Sequence, residues 1–167
     1  YLNHTNQIER AICKPNGKKL DGYPDGSVKA ELTRDAVIAK YAAILSKEET
    51  PILWEATEGD INNINYKTIT AAASKGEAKV LEVLNGIIEC IAILINNIST
   101  VLFAKFVVLH GFFMNEWLFD YFKNYISDFC GEDIAKKIKI SRAENKFEFT
   151  SGCAISIYEY FYKKGGI

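Results

Sequence analysis

The chain lacks an excess of charge of either sign. Its 20 lysines and arginines nearly balance 21 aspartates and glutamates, so no net positive field draws it onto nucleic acid or an anionic membrane surface. DNA contact is therefore expected only through a domain not in this chain. It also lacks a long apolar run. Cys90 to Ala104 carries no charge, but that span is shorter than the roughly 20 residues needed to cross a bilayer and contains Asn96, Asn97, Ser99 and Thr100. No membrane span is expected. There is no Cys-x-x-Cys pair: Cys13, Cys90, Cys130 and Cys153 lie far apart, which argues against a zinc site or disulfide framework and for buried, reduced thiols in a cytoplasmic protein. The opening Tyr1-Leu2-Asn3-His4 has no initiator methionine, basic region or apolar run, so no signal peptide is expected and the chain reads as a piece of something longer. No repeat or internal linker interrupts it, and 167 residues suit a single domain spanning 1–167.

What is present is helical periodicity and one strand signal. Gln7 to Leu20 has no helical pattern and contains the turn Pro15-Asn16-Gly17 between two short extended pieces. Ser27 can cap a helix whose apolar residues Val28, Leu32, Val37, Ile38, Tyr41, Ala42 and Leu45 recur through to about Ser46. Thr50-Pro51 starts a short helix with proline in its first position, and Tyr66 to Ser74 reads as another. Between Ala78 and Ile98 apolar residues cover almost every face, as in a helix surrounded by protein. Phe106-Val107-Val108-Leu109 reads as a short buried strand ending at His110-Gly111. Such a strand end is where α/β folds place ligands, and also a common turn device. Asn115 to Phe129 predicts an amphipathic helix with an aromatic stripe, Gly131 to Lys137 a short helix, and Ile138-Lys139-Ile140 and Lys146 to Phe149 extended pieces. A last helix is predicted from Ser151-Gly152, burying Ile155, Ile157, Tyr158 and Phe161.

The order of these pieces is specific: Ala72-Ala73-Ser74-Lys75-Gly76-Glu77, a long buried helix, Phe106 to Gly111, an amphipathic helix, then Ser151-Gly152-Cys153-Ala154. It resembles the C-terminal part of the ROK family, which comprises sugar kinases and NagC/XylR-type sugar-responsive transcriptional repressors. The resemblance implies an α/β fold, the C-terminal lobe of an actin-like ATPase (ribonuclease H-like) fold with a mixed sheet flanked by long helices. The DNA-binding and first actin-like subdomains would lie outside this chain. Family kinases have a Gly-Glu-Ile-Gly-His segment and a Cys-x-Cys-Gly-x-x-Gly-Cys-x-Glu motif, which hold a structural zinc and line the sugar site. Here those positions read Asn6-Gln7-Ile8-Glu9-Arg10 and Leu20 to Lys29, and only Gly26 of the cysteine motif survives.

These departures shape the functional expectation. The family's zinc-ligand positions hold Arg10, Leu20, Gly22 and Ser27, none of them a thiolate or imidazole, so no zinc and no other cofactor is expected. Arg10 and Lys29 offer only donors, so a neutral hexose is disfavoured at the degenerate pocket formed by Gln7, Arg10 and Lys29. An anion such as a sugar phosphate would suit two cations, and two solvated surface charges are the plainer alternative. The nucleotide turn of the kinases is reduced to His110 and Gly111, followed by Phe112, whose ring stands where bare backbone is needed. The catalytic aspartate and phosphate turn of phosphoryl transfer do not occur here. The resemblance thus implies a non-enzymatic effector-sensing and oligomerisation domain of a transcriptional regulator of carbohydrate metabolism, acting as a homodimer, with a divergent ATP-dependent sugar kinase lobe as the alternative. Trp54, Trp117 and Phe112-Phe113 are candidate dimer contacts, although a place in the core suits aromatic residues better.

Overall fold

The computed structural model describes residues 7–101, 103–109 and 115–140. The last predicted helix, the extended piece at Lys146 to Phe149, and His110 to Phe113 lie outside the described residues.

Gln7–Arg10 forms a 3-10 turn rather than an extended piece. The chain then folds back on itself: Ile12 bridges Ser27 and Leu20 bridges Tyr23, both antiparallel. Two short helices follow where the periodicity predicts one long helix, α1 (Val28–Leu32) and α2 (Arg34–Ala42). Ser27 caps the first, accepting from the Ala30 amide. The break is at Thr33, whose hydroxyl donates to the Lys29 carbonyl at 3.2 Å and accepts from the Ala36 amide at 3.4 Å. Thr33 ends one helix and caps the next with extended backbone, because its side chain offers the groups that a continuous helix would have bonded to itself.

Helix α3 (Pro51–Thr57) has proline in its first turn, and α4 (Tyr66–Ser74) begins with a capping box between Asn65 and Thr68. At the end of α4 Ala72 and Ala73 are buried and Gly76 turns the chain at φ +82°. Glu77 then reaches across. Its buried carboxylate accepts from the Ile52 and Leu53 amides at 2.7 and 3.1 Å, capping α3 from another element. An anion among the free amides of a first turn is favourable both as an acceptor and against the helix dipole.

The long helix α5 (Ala78–Val101) is the spine of the molecule. Val80, Leu84, Ile87, Ile88, Ala92 and Ile95 are buried and join Tyr41, Leu53, Ile69, Leu118, Phe122 and Ile126 in one core. Each fully buried aliphatic side chain contributes about 1.5–3 kcal/mol of transfer free energy. Among the described residues no helix, α5 included, is long and apolar enough to cross a membrane.

Strand β1 (Val107–Leu109) pairs in parallel with β2 (Ile138–Ile140), Val107 opposite Ile138 and Leu109 opposite Ile140. The connection runs through α6 (Glu116–Cys130) and α7 (Glu132–Lys137), the kind of helical crossover that parallel pairing requires. Asn115 caps α6, whose Leu118, Phe122 and Ile126 face the core while Trp117 stacks on Tyr121. The fold is thus helical with a small parallel sheet. Among the described residues that sheet has these two strands, not the larger mixed sheet expected. Nor is β1 buried on both sides: Phe106 and Val108 are exposed, and Val108 lies opposite exposed Lys139. A two-stranded ribbon has one face against the core, so an unbroken apolar run acquires an outer side that the sequence does not mark.

Candidate functional site

Of the residues singled out at the degenerate sugar pocket, Arg10 contacts Gly22 and Tyr23, and Lys29 contacts Glu9. Gln7 opens the 3-10 turn that ends at Arg10, and Lys29 lies in the first turn of α1. The Arg10 guanidinium donates to the Gly22 carbonyl at 2.8 Å and lies 5.6 Å from the centre of the Tyr23 ring, within range of a cation–π contact. Lys29 Nζ is 3.2 Å from Glu9 Oε1, and the Tyr23 hydroxyl donates to Glu9 Oε2 at 3.4 Å. Glu9 is the residue that sequence reasoning missed. Its carboxylate pairs with Lys29 and accepts from Tyr23, while Arg10 donates to a backbone carbonyl. The result is a clamp holding the 3-10 turn to the loop, in which Lys29 is paired with a carboxylate and the Arg10 guanidinium keeps its charge.

Behind the clamp lies a buried polar centre. Glu31, 1% exposed, accepts from the Lys18 amide at 2.6 Å and pairs with Lys40. Burial pushes its carboxyl up, but the hydrogen bonds from Lys40 and Lys18 and the charges of Lys40 and Lys14 outweigh that and hold it below the ordinary carboxylate value. Cys13 is beside it, 1% exposed, donating to the Gly26 carbonyl at 3.5 Å, with the Cys90 thiol close enough to raise its pKa. Burial, reinforced by the neighbouring Cys90 and Glu31, pushes the Cys13 thiol up to about 12. The fold therefore places side by side two thiols that are 77 positions apart in sequence. A carboxylate three residues after Val28, on the apolar side of a helical stripe, was the available signal for Glu31.

These thiols are chemically quiet, because the thiolate and not the thiol is the nucleophile. Iodoacetamide at about pH 8 is expected to label Cys13 in the folded chain at least roughly 100-fold more slowly than a free cysteine, with the labelled peptides counted by mass spectrometry. Labelling at the free rate would show that the loop opens readily.

A second concavity is of a different kind. A cavity of about 800 Å³ opens between the end of α1 and helices α2, α4 and α5. Its aliphatic lining is Leu32, Val37, Ile38, Ile69, Ile87 and Ile91, of which Ile69 and Ile87 are buried and the other four half-buried. The polar lining is Arg34, Asn65, Tyr66 and Lys67, at the first turns of α2 and α4. Asn65 is occupied as a cap, accepting from the Lys67 amide at 2.9 Å. Arg34 and Lys67 are exposed, and among the described residues neither has a carboxylate partner.

His110 and Gly111 lie outside the described residues. Among the described residues no cluster of histidine, cysteine, aspartate or glutamate could hold a metal ion. No family model matches this chain, and no curated protein matches it either.

Proposed function

We propose that this chain is a non-enzymatic effector-sensing and oligomerisation domain of a transcriptional regulator of carbohydrate metabolism, built on the C-terminal lobe of a ROK-type actin-like fold. The observation that carries this reading is the clamp. Two of the positions where the resemblance places zinc ligands, Arg10 and Gly22, touch each other at 2.8 Å, and a third, Ser27, closes the same loop by its bridge to Ile12. The segment is closed by contacts that need no metal to hold them, which supports the reading. The order of the long helix α5, strand β1 and helix α6 agrees with the same reading. Lys29 pairs with Glu9 and Arg10 donates to a carbonyl; both are protonated cations that offer donors only and cannot take a proton from a sugar hydroxyl. A regulator needs the scaffold to move on binding; it needs no acid, base or nucleotide turn.

Calorimetry of the chain with magnesium ATP, a hexose and a hexose phosphate tests this. No ATP heat is expected at millimolar concentration. Binding of ATP at micromolar strength would overturn the non-enzymatic reading and favour the kinase alternative.

A further inference from the structure

We propose that the cavity between the end of α1 and helices α2, α4 and α5 is a binding site for an amphipathic anion, specifically a medium-chain acyl carboxylate. The site is lined by none of the clamp residues and the inference goes beyond the regulator reading. At about 800 Å³ it falls within the roughly 300–1,000 Å³ range of small-molecule sites.

The lining decides what chemistry it accepts. Among the described residues every lining side chain below the rim is a branched aliphatic, with Ile69 and Ile87 buried at the floor. A ligand body carrying hydroxyls would leave them without partners against these surfaces, which is unfavourable. A sugar or sugar phosphate therefore does not suit this cavity, whereas a hydrocarbon body does. The rim is the opposite. Arg34 and Lys67 sit at the first turns of two helices, among the described residues no carboxylate lines the cavity, and both cations are unneutralised. One anionic group at one end of an apolar chain satisfies both halves: the methylenes lie along Leu32, Val37, Ile38 and Ile91, and the carboxylate reaches the guanidinium and ammonium at the mouth.

The test uses the 167-residue chain and isothermal calorimetry with octanoate, decanoate and dodecanoate below their micellar concentrations. Decanol and decylammonium serve as neutral and cationic counterparts. Affinity is expected to rise about fourfold per added methylene. Decanoate is expected to bind at least severalfold more tightly than decylammonium. The surface variant Arg34→Gln/Lys67→Gln should weaken decanoate about fivefold to tenfold and leave decanol unchanged. Three results would overturn the proposal: no carboxylate binding at millimolar concentration, equal binding of the carboxylate and the ammonium, or a decanoate affinity that the double variant leaves intact. Sedimentation in which decanoate dissociates a dimer would also overturn it, by making the cavity a contact between copies of the chain.

Discussion

Replacing Gly26 by alanine is expected to destabilise the fold by about 3 kcal/mol or more. The backbone there has φ +67°, in the left-handed region, and an added Cβ would stand 1.7 Å from the Lys14 carbonyl oxygen and 2.7 Å from its carbon. These are backbone atoms and cannot swing aside as a long side chain would. They are also held in place, since the Cys13 and Lys14 amides both donate to the Gly26 carbonyl at 3.0 and 3.1 Å, and the Gly26 amide donates to the Lys18 carbonyl. The loop must therefore open to admit the methyl group. For a chain of this size the loss corresponds to a fall in Tm of roughly 6–12 °C, read by calorimetry or circular dichroism. Gly22 is the control. It too has a positive φ, +81°, but nothing lies within 4 Å of where a methyl group would stand, so Gly22→Ala should lose only about 1 kcal/mol through its dihedral angle. Equal falls for the two variants would mean that the close approach at Gly26 is not part of the stable fold. Opening the loop should also speed labelling of Cys13, tying the backbone contact to the buried thiol.

The helices are legible because their ends carry local signals. Pro51 at the start of α3, Asn65 before α4, Asn115 before α6 and Gly131 before α7 each act within one turn of their own position. The division of α1 from α2 is less visible, because Thr33 is tolerated inside a helix and only its two side-chain hydrogen bonds reveal a boundary. Strand β1 is legible but its environment is not. Phe106 to Leu109 is apolar throughout, and which side faces outward is fixed by pairing with Ile138-Lys139-Ile140, a segment about thirty residues later. The candidate site shows the same limit. Arg10 and Lys29 stand out as cations where the resemblance expects ligands, yet Glu9 reaches Lys29 across 20 positions and Tyr23 reaches Glu9 across 14. No local pattern encodes such pairings. The cavity is the extreme case: Leu32, Val37 and Ile38 read as an ordinary core stripe, and only the arrangement of α1, α2, α4 and α5 leaves them half covered beside two cations that have no carboxylate partner among the described residues.

Glu31→Gln should be the most destabilising of the near-isosteric substitutions, and its effect should depend on pH. Glutamine retains an acceptor for the Lys18 amide, which Glu31 Oε1 now meets at 2.6 Å. It then turns an amide donor toward the Lys40 ammonium in place of Oε2, setting donor against donor at a site where the Glu31 side chain is 2% exposed and that of Lys40 is 26% exposed. Removing one member of a largely buried pair leaves the other charge without compensation, and a loss of about 2–4 kcal/mol near neutral pH is expected. The pH dependence follows from the direction of the carboxyl shift. Despite the burial that pushes it up, Glu31 is held below its ordinary value of 4.5 by Lys40, Lys18 and Lys14, so the folded state binds its proton less readily than the unfolded state. The carboxylate therefore contributes its full stabilisation above about 4.5, and this is lost as pH falls through the lower, folded value. Glutamine does not titrate. Denaturant unfolding of both chains between about pH 6 and pH 3 should show the gap between them closing as the solution is acidified. A gap of constant size would mean that the loss in the variant comes from packing alone and that the Glu31–Lys40 charge pair adds nothing to the fold.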